Sequence, residues 1–283
     1  MRFSLLLERK LWYINECIVK EYKIMNRTII IANQKGGVGK TTTAINLAAC
    51  LAARRRKVLL IDMDPQGNTS SGFDVSKDQV NKNIYDVMLG EARIEDAIVK
   101  DIRPKLSLIP SDVNLAACEI QLSDAEDRNN ILRKQLEYIQ KDYEFIIIDC
   151  PPSLNILTLN AMCAGDTVIV PLQCEYYALE GLAQLMQTVK LVSERLNPDL
   201  LIEGIVFTMY DSRTKLATQV VENVEENTDK KIYKVVIPRN VRLAEAPSYG
   251  MPIIEYDPRS TGAKAYDALA KKVIRYHYKR TGK

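Results

Sequence analysis

The stretch Asn33-Gln34-Lys35-Gly36-Gly37-Val38-Gly39-Lys40-Thr41-Thr42 decides the fold. It joins an apolar, β-branched run, Thr28–Asn33, to a stretch with Ala and Leu at three- and four-residue spacing, Thr41–Arg54. A strand, a glycine-rich turn and a helix in that order form a phosphate cradle. Glycine lets backbone N–H groups approach a triphosphate without a Cβ in the way. The helix start near Thr41 adds its positive end. Lys40 then reaches the β- and γ-phosphates, and the Thr41 hydroxyl suits Mg²⁺, a hard cation that prefers oxygen. The strict pattern G-x-x-x-x-G-K-[ST] has Gln34 at its first glycine position here, and Lys35 and Gly36 are additional features.

Outward from this loop, strands and helices alternate. Val58–Met63, Leu106–Pro110, Phe145–Asp149, Thr167–Pro171, Ile202–Thr208 and Val235–Pro238 read as strands. Ile84–Leu89, Asn129–Lys141, Glu175–Leu196, Thr214–Glu226 and Ala263–Tyr278 read as helices. Short apolar runs without alternation are strands buried on both faces. The expectation is an α/β fold of the P-loop NTPase class, with a mostly parallel sheet and helices on both faces. No linker-like tract divides the chain, so residues 25–283 read as one domain. Residues 1–24 form an appendage without the apolar core or cleavage site of a secretory signal. Met25 is an alternative start, and a loosely docked amphipathic helix is the other reading.

Composition bounds the function. The chain has 283 residues, 47% apolar and 27% charged, which is ordinary for a globular protein. Its apolar runs are far shorter than the ~20 residues of a membrane span. Net charge is +3, with 39 Lys/Arg against 36 Asp/Glu. Residues 264–283 concentrate seven Lys/Arg against the single acid Asp267. Such a tail fits nucleic acid, anionic lipid, or the solvated end of a last helix. Arg54-Arg55-Arg56-Lys57 falls at a helix end, where positive charge complements the dipole. One histidine and six cysteines without a CxxC pair give no zinc spacing, and the cysteines read as small buried apolar residues.

Several further motifs extend the reading. KGGVGKTT resembles the deviant Walker A loop of the ParA/MinD ATPases. With VLLIDMDPQGN, FIIIDCPPSL, QCEYYALEGL and VIPRNVRLAEAPSYGMPIIEYDPRS, the chain resembles the chromosomal ParA (Soj) branch from about Arg27 to the last helix. Gln34 is normal in that branch.

Asp62 and Asp64 close the second strand and, two residues apart, are both expected at the nucleotide crevice. The resemblance implies that Asp64 orients the attacking water, with Asp62 supporting it or the metal shell. Asp149 reads as a Walker B carboxylate holding Mg²⁺ through water. The resemblance also implies that Lys35 crosses to the ATP of a facing subunit. In the same way it assigns the Pro238 backbone and the Asn240 amide to adenine, and Arg213 and Arg242 to a DNA-facing surface of the dimer.

The implied protein is a cytoplasmic, nucleoid-associated, Mg²⁺-dependent ATPase. It would bind Gly36, Gly37, Val38, Gly39, Lys40, Thr41 and Thr42 to ATP, form a homodimer, and bind double-stranded DNA without sequence preference. A ParB-type protein would reset it, so that it partitions chromosome origins, and similar proteins also act on a replication initiator. The alternative is a membrane-associated division-site ATPase of the MinD kind. That group ends in a helix with bulky apolar residues on one face, and the last helix here has no Phe/Trp cluster, so stable membrane binding is not expected.

Overall fold

The computed structural model describes residues 26–76, 80–176 and 178–281. The expected appendage, residues 1–24, lies outside them.

Seven strands form one sheet: β1 (Arg27–Ile31), β2 (Val58–Asp62), β3 (Val99–Arg103), β4 (Leu106–Ile109), β5 (Phe145–Asp149), β6 (Thr167–Gln173) and β7 (Leu201–Thr208). Their spatial order is β3-β4-β2-β5-β1-β6-β7. Every neighbouring pair is parallel except β3 with β4. The longer helices are α1 (Lys40–Ala53), α2 (Ile131–Ile139), α3 (Ile156–Ala164), α4 (Ala178–Arg195), α5 (Lys215–Asn227) and α6 (Thr261–Thr281).

Side chains leave a strand to alternate faces, and here each face meets its own helical layer. Ile29, Ile31, Val58, Leu60, Phe145 and Ile147 pack with α1 and α6. Ile30, Leu59, Ile61, Ile146 and Ile148 pack against α2 to α5 on the other side. These central strands are therefore apolar between their polar ends. α6 turns Tyr266, Leu269, Ala270 and Val273 into the first layer, all fully buried or nearly so.

Two expectations about strands need correction. β3 (VKDIR) was not expected; it is an edge strand with partly exposed, charged positions and an irregular register against β4. Val235–Pro238 is not a strand. This segment follows β7 but touches it in isolated bridges, Ile205 with Ile232 and Tyr210 with Pro238. Hydrogen bonds flank Pro238, from the Ile237 N–H to the Phe207 carbonyl of β7 at 2.8 Å and from the Arg239 N–H to the Tyr210 carbonyl at 3.1 Å, but the bridges stay isolated and no strand runs between them. Of the six cysteines, Cys50, Cys118, Cys150, Cys163 and Cys174 are buried free thiols, and Cys17 lies outside the described residues.

Candidate nucleotide site

Ligands of open parallel sheets gather at the carboxyl ends of the strands, and the loop after β1 lies there. Gly37 and Gly39 hold φ at 75° and 84°, left-handed values that admit glycine easily. A Cβ placed on Gly36 or Gly37 would meet nothing within 4 Å, so this side of the loop is open. The left-handed Gly39 is the N-cap of α1, and no side chain caps the helix. Its first N–H groups are therefore available to an anion. Asn33 pins the loop on both sides: its Nδ2 donates to the Pro171 carbonyl and its Oδ1 accepts from the Lys35 N–H, at 2.8 and 3.0 Å. Thr208, at the end of β7, donates to the Val38 carbonyl at 2.8 Å.

The two lysines of the loop diverge. Lys40 is 7% exposed, and its ammonium donates to the Lys35 carbonyl at 3.1 Å. Burial lowers its pKa, and nearby Asp149 opposes that shift. The Lys35 ammonium leaves the cradle and pairs with Glu175 at 2.6 Å, with both side chains partly exposed.

β5 and β2 lie side by side, and their registers end together, Asp62 opposite Asp149. Both carboxylates are fully buried. Asp149 Oδ2 accepts from the Thr69 hydroxyl at 2.8 Å, while its Oδ1 is a buried oxygen with no partner. Burial, with Asp62 adjacent, raises Asp149 to about 7. Burial also raises Asp62, to about 6.

Asp62 departs from the expectation of a crevice-facing pair with Asp64. Its Oδ2 accepts from the Ser70 N–H and hydroxyl at 2.9 and 2.8 Å, and its Oδ1 accepts from the Asp64 N–H at 3.2 Å. It thus organises the loop that follows β2. Asp64 sits one step further out, 8% exposed, accepting the Gln66 N–H at 3.0 Å. Thr69, Ser70 and Glu175 escaped the sequence reading, because their contacts arise only when distant or irregular segments fold together.

Beside the loop, a cavity of 330 Å³ is lined by Gly39, Thr42, Thr208, Pro238, Asn240 and Tyr266, among others. The Asn240 amide is already engaged. Its Nδ2 donates to Thr261 Oγ1 at 2.9 Å, and its Oδ1 caps the following helical turn through the Arg242 N–H at 2.8 Å. Arg213 and Arg242 lie on segments bridged at the same end of β7. Each is paired: Arg213 with Asp211 at 2.6 Å, and Arg242 with Glu245 at 2.9 Å and Asp257 at 3.7 Å. The exposed Arg239, between them in sequence, was not singled out from sequence.

The open glycine cradle, the uncapped helix start, the buried lysine and the orphaned carboxylate oxygen fit a magnesium-bound nucleoside triphosphate. Together with the sheet order they define a P-loop nucleoside triphosphatase. A family model described as an AAA domain matches residues 26–202. Over 249 residues the chain is 53% identical to the sporulation initiation inhibitor protein Soj of Bacillus subtilis, covering 88% of this chain and 98% of that one. It is also 53% identical over 250 residues to the chromosome partitioning protein ParA of Caulobacter vibrioides, covering 88% and 94%. A crystal structure of cobyrinic acid a,c-diamide synthase from Mycobacterium smegmatis, with bound ADP and magnesium, superposes with a TM-score of 0.79 at 35% identity, covering 92% of this chain and 97% of that one. The chain belongs to the ParA/Soj family of chromosome-partitioning ATPases.

Proposed function

We propose that this protein is an ATP-operated partitioning switch, in which nucleotide state sets whether two copies join and whether the pair holds DNA. ATP enters at the carboxyl ends of β1, β2 and β5. The N–H groups of residues 36–42 and the Lys40 ammonium hold its phosphates, and the cavity lined by Pro238 and Asn240 takes adenine. Thr41 and Asp149 hold Mg²⁺, Asp149 through water. Held there, Mg²⁺ would neutralise phosphate charge. Asp64 orients the attacking water. Its place at the rim, beside but outside the buried pair, suits a carboxylate that must meet solvent-derived water.

The observation that carries this reading is the divergence of Lys35 from Lys40. One lysine serves the cradle of its own chain. The other projects out of it and is held only by an exchangeable, half-exposed partner, Glu175. A cation so placed is available to the triphosphate of a second copy, which couples dimerisation to the γ-phosphate. Arg213 and Arg242 then meet DNA across the paired surface, exchanging their carboxylate partners for phosphates, and a ParB-type partner stimulates hydrolysis and resets the cycle. An action on a replication initiator is part of the same family reading, as is a cytoplasmic, nucleoid-associated location. No described helix is long and apolar enough to cross a membrane, and α6 places its apolar face in the core beside α1. This disfavours a membrane-seeking last helix.

Light scattering of the nucleotide-free, ADP and ATP forms, each with and without DNA, tests the switch. A dimer in ATP alone, with DNA held by that dimer, is expected. An ATP form that stays monomeric overturns it.

A further inference from the structure

Asp62 clasps the loop after β2 at both of its ends. The chain turns at Gly67 and enters one helical turn, Asn68–Ser71. One Asp62 oxygen accepts the Asp64 N–H at the start of this stretch, at 3.2 Å. The other accepts the Ser70 N–H and hydroxyl at its end, at 2.9 and 2.8 Å. Ser70 Oγ also accepts the Ser111 N–H at 3.0 Å, which ties the loop to the segment after β4. Inside the clasp the Gly67 N–H donates to the Asp64 carbonyl at 2.9 Å, and the Gln66 N–H donates to Asp64 Oδ1 at 3.0 Å. Gly67 holds φ at 65°, and a Cβ there would lie 3.1 Å from the Ser111 carbonyl oxygen. So many constraints on so short a stretch make residues 64–70 move as one body.

Two side chains of this body matter to the nucleotide site. Asp64 lies at the rim, 8% exposed, and Thr69 is sealed inside. The Thr69 hydroxyl donates to Asp149 Oδ2 at 2.8 Å, from 80 positions away in sequence. Asp149 Oδ1 is buried and has no partner among the described residues. The carboxylate is thus divided: Thr69 holds one oxygen, and the other is open to the water shell of a metal. Any acceptor would satisfy a buried hydroxyl. The acceptor here is the carboxylate assigned to Mg²⁺.

We propose that Thr69 is a positioning residue that couples the metal-holding carboxylate to the water-orienting one: loading of the site at Asp149 fixes residues 64–70, and with them Asp64, through the Thr69 hydroxyl. The proposal rests on the roles given above to Asp149 and Asp64. Without metal, the Asp149 side chain is anchored through one oxygen and keeps some freedom to turn. A second bond at Oδ1, to a metal-held water, removes that freedom and leaves Oδ2 a fixed acceptor for Thr69. The body is then held by Asp62 on one side and by Asp149 on the other, and Asp64 no longer swings off the line of attack. Hydrolysis would wait for the metal even when ATP has already entered. The Thr69 bond goes to Asp149 and not to the glycine cradle, so its loss spares nucleotide affinity.

The test is hydrogen exchange, read by mass spectrometry on peptides spanning residues 64–72, in the full chain with ADP bound, with and without Mg²⁺. ADP fills the site without turnover and without the γ-phosphate that joins two copies, so protection does not come from an interface. In the parent, Mg²⁺ should slow exchange there about tenfold or more, the scale of one hydrogen bond to a charged group. T69V should hold ADP within about threefold of the parent and reduce the Mg²⁺ effect to about twofold or less, and T69S, which keeps the hydroxyl, should restore it. T69A gives the same reading should T69V fail to fold. With ATP, T69V should lower kcat about tenfold and leave KM within about threefold, with T69S returning kcat toward the parent. A Mg²⁺ effect in T69V and T69A as large as the parent's overturns the proposal. So does a parent without that effect, or a T69V kcat equal to the parent's. Failure of the Asp64 assignment reads separately: Asp64→Ala would then keep parental turnover, while the exchange response of the loop to Mg²⁺ would stand.

Discussion

Asp62 and Asp149 face each other across adjacent parallel strands, both sealed from solvent, and both are held above the ordinary carboxylate value of 3.8, at about 6 and about 7. In the unfolded chain both are ionised by pH 5; in the folded, nucleotide-free protein both still hold their protons there. Folding therefore takes up protons in this range, and stability falls as pH rises. The stabilisation is fully present below the unfolded value and is lost as pH passes through about 6 and then about 7. Melting of the nucleotide-free protein should move to lower temperature from pH 5 to 8. Asp149→Asn should flatten that slope, and a slope equal to the parent's would rule out the pair as its source.

Lys35 must part from Glu175 before it can reach a second subunit. Lys35→Ala should keep ATP binding within a few-fold and abolish the ATP-dependent dimer in sedimentation experiments. Glu175→Gln should favour the dimer. The pair is partly exposed and worth about 1 kcal/mol at most, and each dimer releases two of them, so the gain is limited to about 30-fold. A weaker dimer in Glu175→Gln would mean that Glu175 contributes to the interface itself.

Asp64→Ala separates binding from chemistry. Asp64 bonds its own loop and neither the glycine cradle nor Lys40. ATP affinity should therefore stay within a few-fold, while turnover falls by about 10²-fold or more, the scale of a lost general base. Phosphate release at saturating ATP is the readout, and parental turnover would remove Asp64 from the reaction.

The sequence exposes what is fixed by local chemistry. Ile29–Ile31, Val58–Ile61 and Phe145–Ile148 are apolar at every position because helices cover both of their faces. Val99–Arg103 gives no such signal: as an edge strand it places the exposed Lys100 and Asp101 side by side and bends at Asp101, where φ is 51°. Val235–Pro238 has strand-forming residues, but the segment meets β7 only in isolated bridges. The same division runs through the site. Glycines and Lys40-Thr41 are legible because a phosphate demands them in one contiguous loop. Thr69 on Asp149 and Glu175 on Lys35 join residues 80 and 140 positions apart, and only the folded sheet brings them together. Asp62 showed its residue type in the sequence, but its orientation depended on Ser70.

At the amino end of β1, Arg27 forms a buried ion pair with Glu203 of β7, 3% and 1% exposed. Burial lowers Arg27 to about 10, but it remains a cation at neutral pH. Glu203→Ala leaves that charge without its counterion and should destabilise the fold by about 3–5 kcal/mol. Glu203→Gln should cost less, because it keeps the bond from Tyr233. Urea unfolding measures both. ATP affinity in the folded fraction should be unchanged, since the pair lies at the far end of the strands. A loss below 1 kcal/mol would mean that Arg27 finds water or another partner.

Asn240 serves two roles that mutation can pull apart. As the N-cap of Val241–Glu245 its Oδ1 holds the Arg242 N–H, and its Nδ2 is tied to Thr261. If the amide also reads adenine, Nδ2 must exchange the Thr261 hydroxyl for the base, while the cap remains. Asn240→Ala should then destabilise the protein by ~1 kcal/mol through the lost cap, weaken ATP about tenfold, and narrow the preference for ATP over GTP. Asn240→Asp keeps a capping oxygen but has no N–H donor, so it should retain stability and still lose adenine preference. Thr261→Ala frees Nδ2 in advance and should leave ATP affinity equal or tighter. Isothermal titration with both nucleotides distinguishes these outcomes: full ATP preference in Asn240→Asp would confine Asn240 to the cap and leave recognition of the base to the backbone around Pro238.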